Sequence, residues 1–418
     1  MRWQSRKNLD QTKLTTGLNF IEAGWLVCHQ VIMPKKNLWT KLIQPDTDNS
    51  NFRTLASSVE RASTVTFPDV ESLRKRNWRD ENQYSYGLYG TPTTKRLERK
   101  LAMLEDAEHC ILLPSGLAAI SFVLLSLLKS GDRVLMPTNA YEPASDLGKH
   151  FQERFGIELA FYDPQQLDTV DITGNTRLLW VETPGSVSME VADLPALCKL
   201  AHRHDVLVAV DATWAAGLAL PVFKLGADIS IQALTKYQSG GSDIMMGSVV
   251  TRDKNLHLRL LATHMRFGFG VSPEDCNIIL RSLPHYRLRY QAQDVSARKI
   301  ASWLKAHPAV KQVLHPALPG SPGHTIWQRD FSGAASLFSI IFQPHITQEK
   351  IDQCINALNL FRIGFSWGGS CSLVVPYDMK RTRQNWPHKG QLVRFYVGLE
   401  DVDDLIEDLD QALSLLQE

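Results

Sequence analysis

The chain reads as an α/β protein: a mainly parallel sheet between helices, followed by a smaller α+β region with an antiparallel sheet. Three observations carry this reading. Short strand-like runs at residues 110–113, 132–136, 157–162, 177–181 and 206–210 alternate with stretches of helical periodicity, the pattern of strands joined by crossovers. The run at 206–210, VLVAV, is apolar throughout, as expected of a strand covered on both faces. Past about residue 290 the order changes, with strands at 335–342 and 392–397 and helices at 348–357 and 401–416.

At 418 residues the chain has room for two or three domains, each with its own core. It is 44% hydrophobic, 21% charged and 9% aromatic, ordinary for a soluble globular protein. A formal net charge of +1 offers no global attraction to nucleic acid or to an anionic membrane, and neither is expected as a partner. No apolar run reaches the length of a membrane span. Six cysteines, at 28, 110, 198, 276, 354 and 371, show no CxxC spacing, which suits a reducing, cytoplasmic location. His202 and His204 lack a nearby cysteine or carboxylate pair and read as helix-surface residues, so no metal is expected.

Residues 1–32 start basic, with Arg2, Arg6, Lys7 and Lys13, but also carry Asp10 and Glu22. Their apolar part is interrupted and no small-residue cleavage site follows, which argues against a signal or transit peptide. They read as a disordered or misassigned extension, with Met33 as the start. Residues 33–79 are weakly periodic, with one short helix from residue 67, and read as an arm. Residues 83–94, QYSYGLYGTPTT, form an ordered loop. The amphipathic stretch KRLERKLAMLE follows, with Leu97, Leu101 and Leu104 on one stripe.

The strand at 110–113 runs through Pro114-Ser115-Gly116 into a helix at 116–129. Ser115 is an N-cap, Gly116 lets a ligand approach the backbone, and the free N–H groups of the first turn attract an anion. Many helices start this way and bind nothing, so the motif alone is a weak sign of a phosphate cup. The strand at 132–136 ends near Tyr141, whose ring either lies on a flat ligand or packs under a loop. A helix at 143–155 follows, and the strand at 177–181 ends in Glu182-Thr183-Pro184-Gly185 before a helix at 194–203.

Residues 206–237 are the centre of the pattern. Asp211 stands just past one strand, and the strand at 228–232 leads into Thr235-Lys236-Tyr237. Ligands of parallel sheets bind where strands end. A lysine and a carboxylate placed there form the pair that pyridoxal phosphate (PLP) chemistry requires. The amine holds the cofactor aldehyde as a Schiff base, and the carboxylate keeps the pyridine nitrogen protonated. Singly, a solvated lysine and a helix-capping aspartate explain each residue better; the joint placement is what points to PLP. An SGGSD loop, a strand at 244–251 and a long helical region reaching residue 306 come next. The acidic run near residues 400–410 reads as helix-dipole and solubility chemistry.

Longer motifs complete the picture: YGLYGTPT (86–93), PSG (114–116), NAYEP (139–143), ETPGSVSMEV (182–191), VDATWAAG (210–217), SIQALTKY (230–237), HPALPGSPGH (315–324), FSWGG (365–369) and VGLEDVDDLIEDLD (397–410). In this order the chain from about Met33 onward resembles the cystathionine β-lyase branch of the Cys/Met-metabolism PLP-dependent enzymes, which have the aspartate-aminotransferase type of fold. The resemblance implies a PLP-binding domain at 95–290 with a seven-stranded sheet, a small C-terminal domain at 291–418, and an arm at 33–94 reaching a neighbouring subunit. It implies a homotetramer, a dimer of dimers, acting on a sulfur amino acid in methionine biosynthesis. The reaction expected is α,β-elimination of cystathionine. Cysteine-conjugate β-lysis, γ-elimination or γ-replacement are the nearest alternatives, and a PLP-binding regulator a more distant one.

By the same resemblance, Lys236 matches the Schiff-base lysine and catalytic base, and Asp211 the partner of the pyridine nitrogen. Tyr141 matches the catalytic tyrosine stacked on the ring, expected to assist displacement of the lysine amine, Gly116 and Leu117 the backbone donors to the phosphate, and Thr235 a hydroxyl donor to it. Tyr86 matches a tyrosine that reaches the neighbouring subunit's phosphate and is expected among the substrate-binding residues, and Ser366 and Arg394 match the residues that hold the substrate carboxylate. Leu88 stands where most of the family has arginine, removing a contact of a kind worth about 1.5–3 kcal/mol, so weaker PLP binding is expected unless Lys95 or Arg96 compensates. Ala233, where γ-specific relatives carry serine, tilts the resemblance toward β-elimination together with SWGG.

Overall fold

The computed structural model describes residues 37–44, 55–80, 83–383 and 386–416. The expectations for residues 1–32 therefore lie outside the described residues. By its contacts the chain divides into two units, Met1–Lys41 and Leu42–Glu418. Of the first only residues 37–41 are described, in the opening turn of a short helix, Leu38–Ile43. Everything that follows belongs to the second.

The larger sheet has seven strands: β1 (His109–Leu113), β2 (Arg133–Pro137), β3 (Glu158–Tyr162), β4 (Thr176–Glu182), β5 (Leu207–Asp211), β6 (Ile229–Ala233) and β7 (Gly247–Thr251), in the order β1-β7-β6-β5-β4-β2-β3. Only β7 runs against its neighbours; β3, β2, β4, β5 and β6 pair in parallel. The apolar run at 206–210 becomes β5, whose Val208, Ala209 and Val210 are fully buried. The helix Gly116–Leu127 covers one face, contributing Phe122, Val123 and Leu124 to a core shared with Trp180 and Ile231. Parallel strands start and stop together, so β4 and β5 end side by side, with Glu182 paired to Asp211.

The helix expected after Thr94 begins earlier, at Pro92. Proline fits the first helical turn because its missing N–H would have no partner there. Thr91 and Thr94 close a reciprocal capping box, the Thr91 N–H donating to Thr94 Oγ1 at 2.8 Å and the Thr94 N–H to Thr91 Oγ1 at 3.4 Å. At Gly116–Leu127 the expected N-cap is in place, the Ala118 N–H donating to Ser115 Oγ at 3.0 Å.

The smaller sheet comprises β8 (Val310–Leu314), β9 (Leu337–Phe342), β10 (Arg362–Ile363), β11 (Leu373–Tyr377) and β12 (Leu392–Tyr396), in the order β10-β11-β12-β9-β8. It is antiparallel except for the β10–β11 pair. None of β8, β10 and β11 was expected. Pro376 argues against a strand, yet β11 tolerates it because only the two-residue β10 lies on its far side. A 34-residue helix, Pro273–Ala306, runs unbroken through Pro284 and sends Ala297, Ile300 and Leu304 into the core of the smaller sheet.

Not all of the acidic run serves solubility. In the C-terminal helix Val402–Leu413, Asp408 is buried and accepts from the N–H groups of Asn359 and Leu360, each at 2.8 Å, so it caps a neighbouring loop. Among the described residues no helix is long and apolar enough to cross a membrane.

Candidate active site

Where the strands of the larger sheet end, the chain encloses a cavity of about 450 Å³. Lys236 and Asp211 both line it, near enough that each alters the other's proton affinity. Lys236 follows β6 by a turn, its N–H donating to Ala233 O at 3.1 Å. Its amine donates to Ser366 Oγ at 2.7 Å and stands 5.3 Å from the Trp367 ring centre. Burial and then the Arg394 charge lower its pKa to about 8, against a smaller opposing pull from Asp211. A buried ammonium beside a second cation gives up its proton readily.

Asp211 is the last residue of β5 rather than the first beyond it. Its Oδ1 accepts from Thr213 Oγ1 at 2.6 Å and from the Thr213 N–H at 3.1 Å. The Thr213 hydroxyl is tied in turn to the Ala233 N–H at 3.0 Å. Burial raises the carboxyl pKa, while Thr213 and then Lys236 pull it back. Thr213 escaped the sequence reading; its one signal was a hydroxyl two residues after a carboxylate, a spacing that favours local hydrogen bonds.

Glu182 also lines the cavity and was not anticipated. It ends β4 in register with Asp211, and its Oε2 accepts from the Tyr141 N–H at 2.7 Å. Burial first, then Asp211, push its pKa well above the usual carboxylate range, since two adjacent buried carboxyls resist ionising together. Glu182 thus fixes the backbone from which the half-exposed Tyr141 ring enters the cavity. Its signal was its place at the end of an apolar run.

The residues expected at a phosphate are divided. Ser115, Gly116, Leu117 and Thr235 line the cavity. At Gly116 a Cβ would stand 2.6 Å from the Ala233 Cβ, so contact with β6 already demands glycine there. The Thr235 hydroxyl accepts from the Met246 N–H at 3.1 Å and lies 3.3 Å from Met246 O. Tyr86 is outside the lining, half-exposed and bridged to Thr64. Lys95 pairs with Glu98 at 2.8 Å and Arg96 lies 3.9 Å from Glu60; neither lines this cavity.

Arg394 enters from β12 and is only 8% exposed. Among the described residues no carboxylate pairs with it; burial lowers its pKa against the opposing pull of Tyr377 and Tyr141, and its charge reaches Lys236. A desolvated cation without a counter-charge is costly, and the open side of this one is a ligand-sized cavity. That is the arrangement of an anion site, and a guanidinium matches a carboxylate through two parallel hydrogen bonds.

The loop from Phe365 to Gly369 closes the cavity against the lysine turn. Gly368 has φ +93°, and a Cβ there would lie 2.4 Å from the Lys236 carbonyl carbon and 2.6 Å from the Tyr237 nitrogen. Gly368→Ala is expected to combine left-handed strain with a backbone clash, costing about 2 kcal/mol or more of stability. Thermal melting should show a clear loss of Tm, and the variant should hold its cofactor less tightly in equilibrium dialysis; an unchanged melt would mean the loop stands off from the lysine.

Comparison with known proteins agrees with this geometry. Over 359 residues, 84% of this chain and 90% of its relative, the protein is 39% identical to a cystathionine beta-lyase of Bordetella avium. It is 35% identical to the cystathionine beta-lyase of Escherichia coli (strain K12), covering 91% of this chain and 99% of that one. Its fold overlays on the crystal structure of cystathionine gamma synthase from Xanthomonas oryzae pv. oryzae with a TM-score of 0.84 at 26% identity, over 91% of this chain and 99% of that one. The model of one family, described as Cys/Met metabolism PLP-dependent enzyme, matches residues 39–414. With nearly the whole described chain inside that match, the protein belongs to the Cys/Met metabolism PLP-dependent enzymes, and its cofactor is pyridoxal 5'-phosphate.

Proposed function

We propose that this protein is a carbon–sulfur lyase that converts L-cystathionine and water to homocysteine, pyruvate and ammonia. One observation carries the reading: a single cavity holds a buried amine of lowered pKa, a hydrogen-bonded carboxylate and a buried guanidinium that no carboxylate among the described residues pairs with. An α-amino acid bound to PLP needs each of these. The names of the two relatives above narrow the choice among sulfur amino acids.

The residues present fit the cofactor. Lys236 and Asp211 would hold its two ends, with Gly116, Leu117 and Thr235 toward the phosphate and Tyr141 beside the ring. When bound, PLP supplies the electron sink that makes the Cα proton removable. Arg394 binds the substrate carboxylate, with Ser366 beside it. Lys236 Nζ, largely neutral above about pH 8, takes the proton from Cα and returns one to the departing sulfur as the Cβ–S bond breaks. Asp211, its orientation set by Thr213, would hold its negative charge against the ring nitrogen of the bound cofactor. Hydrolysis of the remaining three-carbon fragment gives pyruvate and ammonia.

The same proposal includes a homo-oligomer, a tetramer in which Tyr86 serves the neighbouring subunit's site, located in the cytoplasm. It also includes the division into an arm (33–94), a PLP-binding domain (95–290) and a small domain (291–418). A γ-specific reaction is the second reading, favoured by the likeness to a cystathionine gamma synthase structure. Purified protein incubated with PLP and cystathionine, cystine or methionine decides between them. Pyruvate from cystathionine is the expected product; 2-oxobutyrate would establish γ chemistry, and no keto acid from any of the three would sink both.

A further inference from the structure

We propose that Tyr377 is a positioning residue for the substrate carboxylate, acting through Arg394. The proposal rests on the reading of Arg394 as the carboxylate site. Tyr377 ends β11, and Arg394 lies opposite Val375 on the neighbouring strand. Alternate residues of a strand share a face, so Tyr377 and Arg394 are diagonal neighbours on one side of the sheet. Both line the cavity. The guanidinium carbon stands 5.2 Å from the Tyr377 ring centre, and the two side chains influence each other electrostatically.

The choice of partner is what matters. A carboxylate at position 377 would orient Arg394 equally well but neutralise it, leaving little attraction for a substrate. A neutral phenol supplies a flat ring face and a hydroxyl dipole while leaving the full positive charge for the ligand. Burial keeps that phenol from ionising by raising its pKa. Tyr377 is itself held: its carbonyl accepts from Gln391 Nε2 at 3.2 Å, and its ring meets Phe365 edge-on at 6.4 Å. The β11–β12 pairing thus delivers an arginine already aimed, sparing the substrate the cost of ordering a long side chain.

The test is a double-mutant cycle read by equilibrium binding of glycine, which has no β-substituent to eliminate, to the PLP-loaded enzyme. Binding is followed by the change in cofactor absorbance. Tyr377→Phe keeps the ring and loses the hydroxyl dipole; it should weaken glycine binding about 3- to 10-fold without altering the absorbance of the free enzyme. Ethylamine, which has no carboxylate, should bind wild type and variant equally. In turnover with the sulfur amino acid, KM should rise and kcat stay within about threefold. Placing Tyr377→Phe on an Arg394→Leu background should cost nothing further. Full additivity in the double variant, or an equal loss with ethylamine, would overturn the role of Tyr377 while leaving Arg394 intact. Unchanged glycine binding in Arg394→Leu alone would instead remove the carboxylate site, and this proposal with it.

Discussion

Lys236→Ala should lose turnover and the yellow colour of the loaded enzyme together, with kcat falling by at least about 10³-fold. The expectation is large because one amine does two jobs: it tethers the cofactor and it moves the proton at Cα. The side chain points into a cavity rather than into the core, so its removal should leave the fold standing, as circular dichroism would verify. Retained turnover would refute the assignment. The pH behaviour of the same group supplies an independent check. Burial and Arg394 lower the lysine pKa to about 8, so the protonated form dominates below that value and the neutral, nucleophilic form above it. Uptake of PLP by cofactor-free protein should therefore quicken as pH rises toward about 8 and level off beyond. A rate still climbing steeply through pH 10 would mean an ordinary, solvated lysine.

Asp211→Asn should lower kcat by about 10²–10³-fold, the scale of removing one preorganised electrostatic partner, while the protein still binds PLP. The amide keeps the shape and the acceptor oxygen that Thr213 holds, so geometry is spared and only the charge is lost. Stopped-flow and steady-state rates on the PLP-loaded variant measure this directly. A kcat within about threefold of wild type would show that the ring nitrogen is served by something else. Glu182, in register beside Asp211, is the group to examine then.

Much of the site was legible because a parallel sheet puts its chemistry in a predictable place. Apolar runs that stop at a carboxylate announced the ends of β4 and β5, and with them Asp211, and the β-prone segment 228–232 announced the turn bearing Lys236. The helix start at Ser115 was legible for a related reason, since capping is local. The parts that escaped depend on contacts between distant segments. Thr213 matters because its hydroxyl spans from Asp211 to the Ala233 N–H, 20 residues further on. Tyr377 matters because β11 pairs with β12, and β11 itself was hidden by Pro376 and by lying one strand from the sheet edge. Asp408 looked like solvent-facing charge until the loop it caps folded back upon it.

The loop that carries Ser366 and Gly368 touches the lysine turn twice, once at the amine through the serine hydroxyl and once at the backbone through a glycine that admits no side chain. Two fastenings on one turn remove the freedom to swivel about either. The segment after β10 and the base it touches are thereby fastened to each other, so a substitution that displaces this loop is expected to displace the proton-carrying nitrogen too. Recognition and reactivity in this protein are geared to the same shaft.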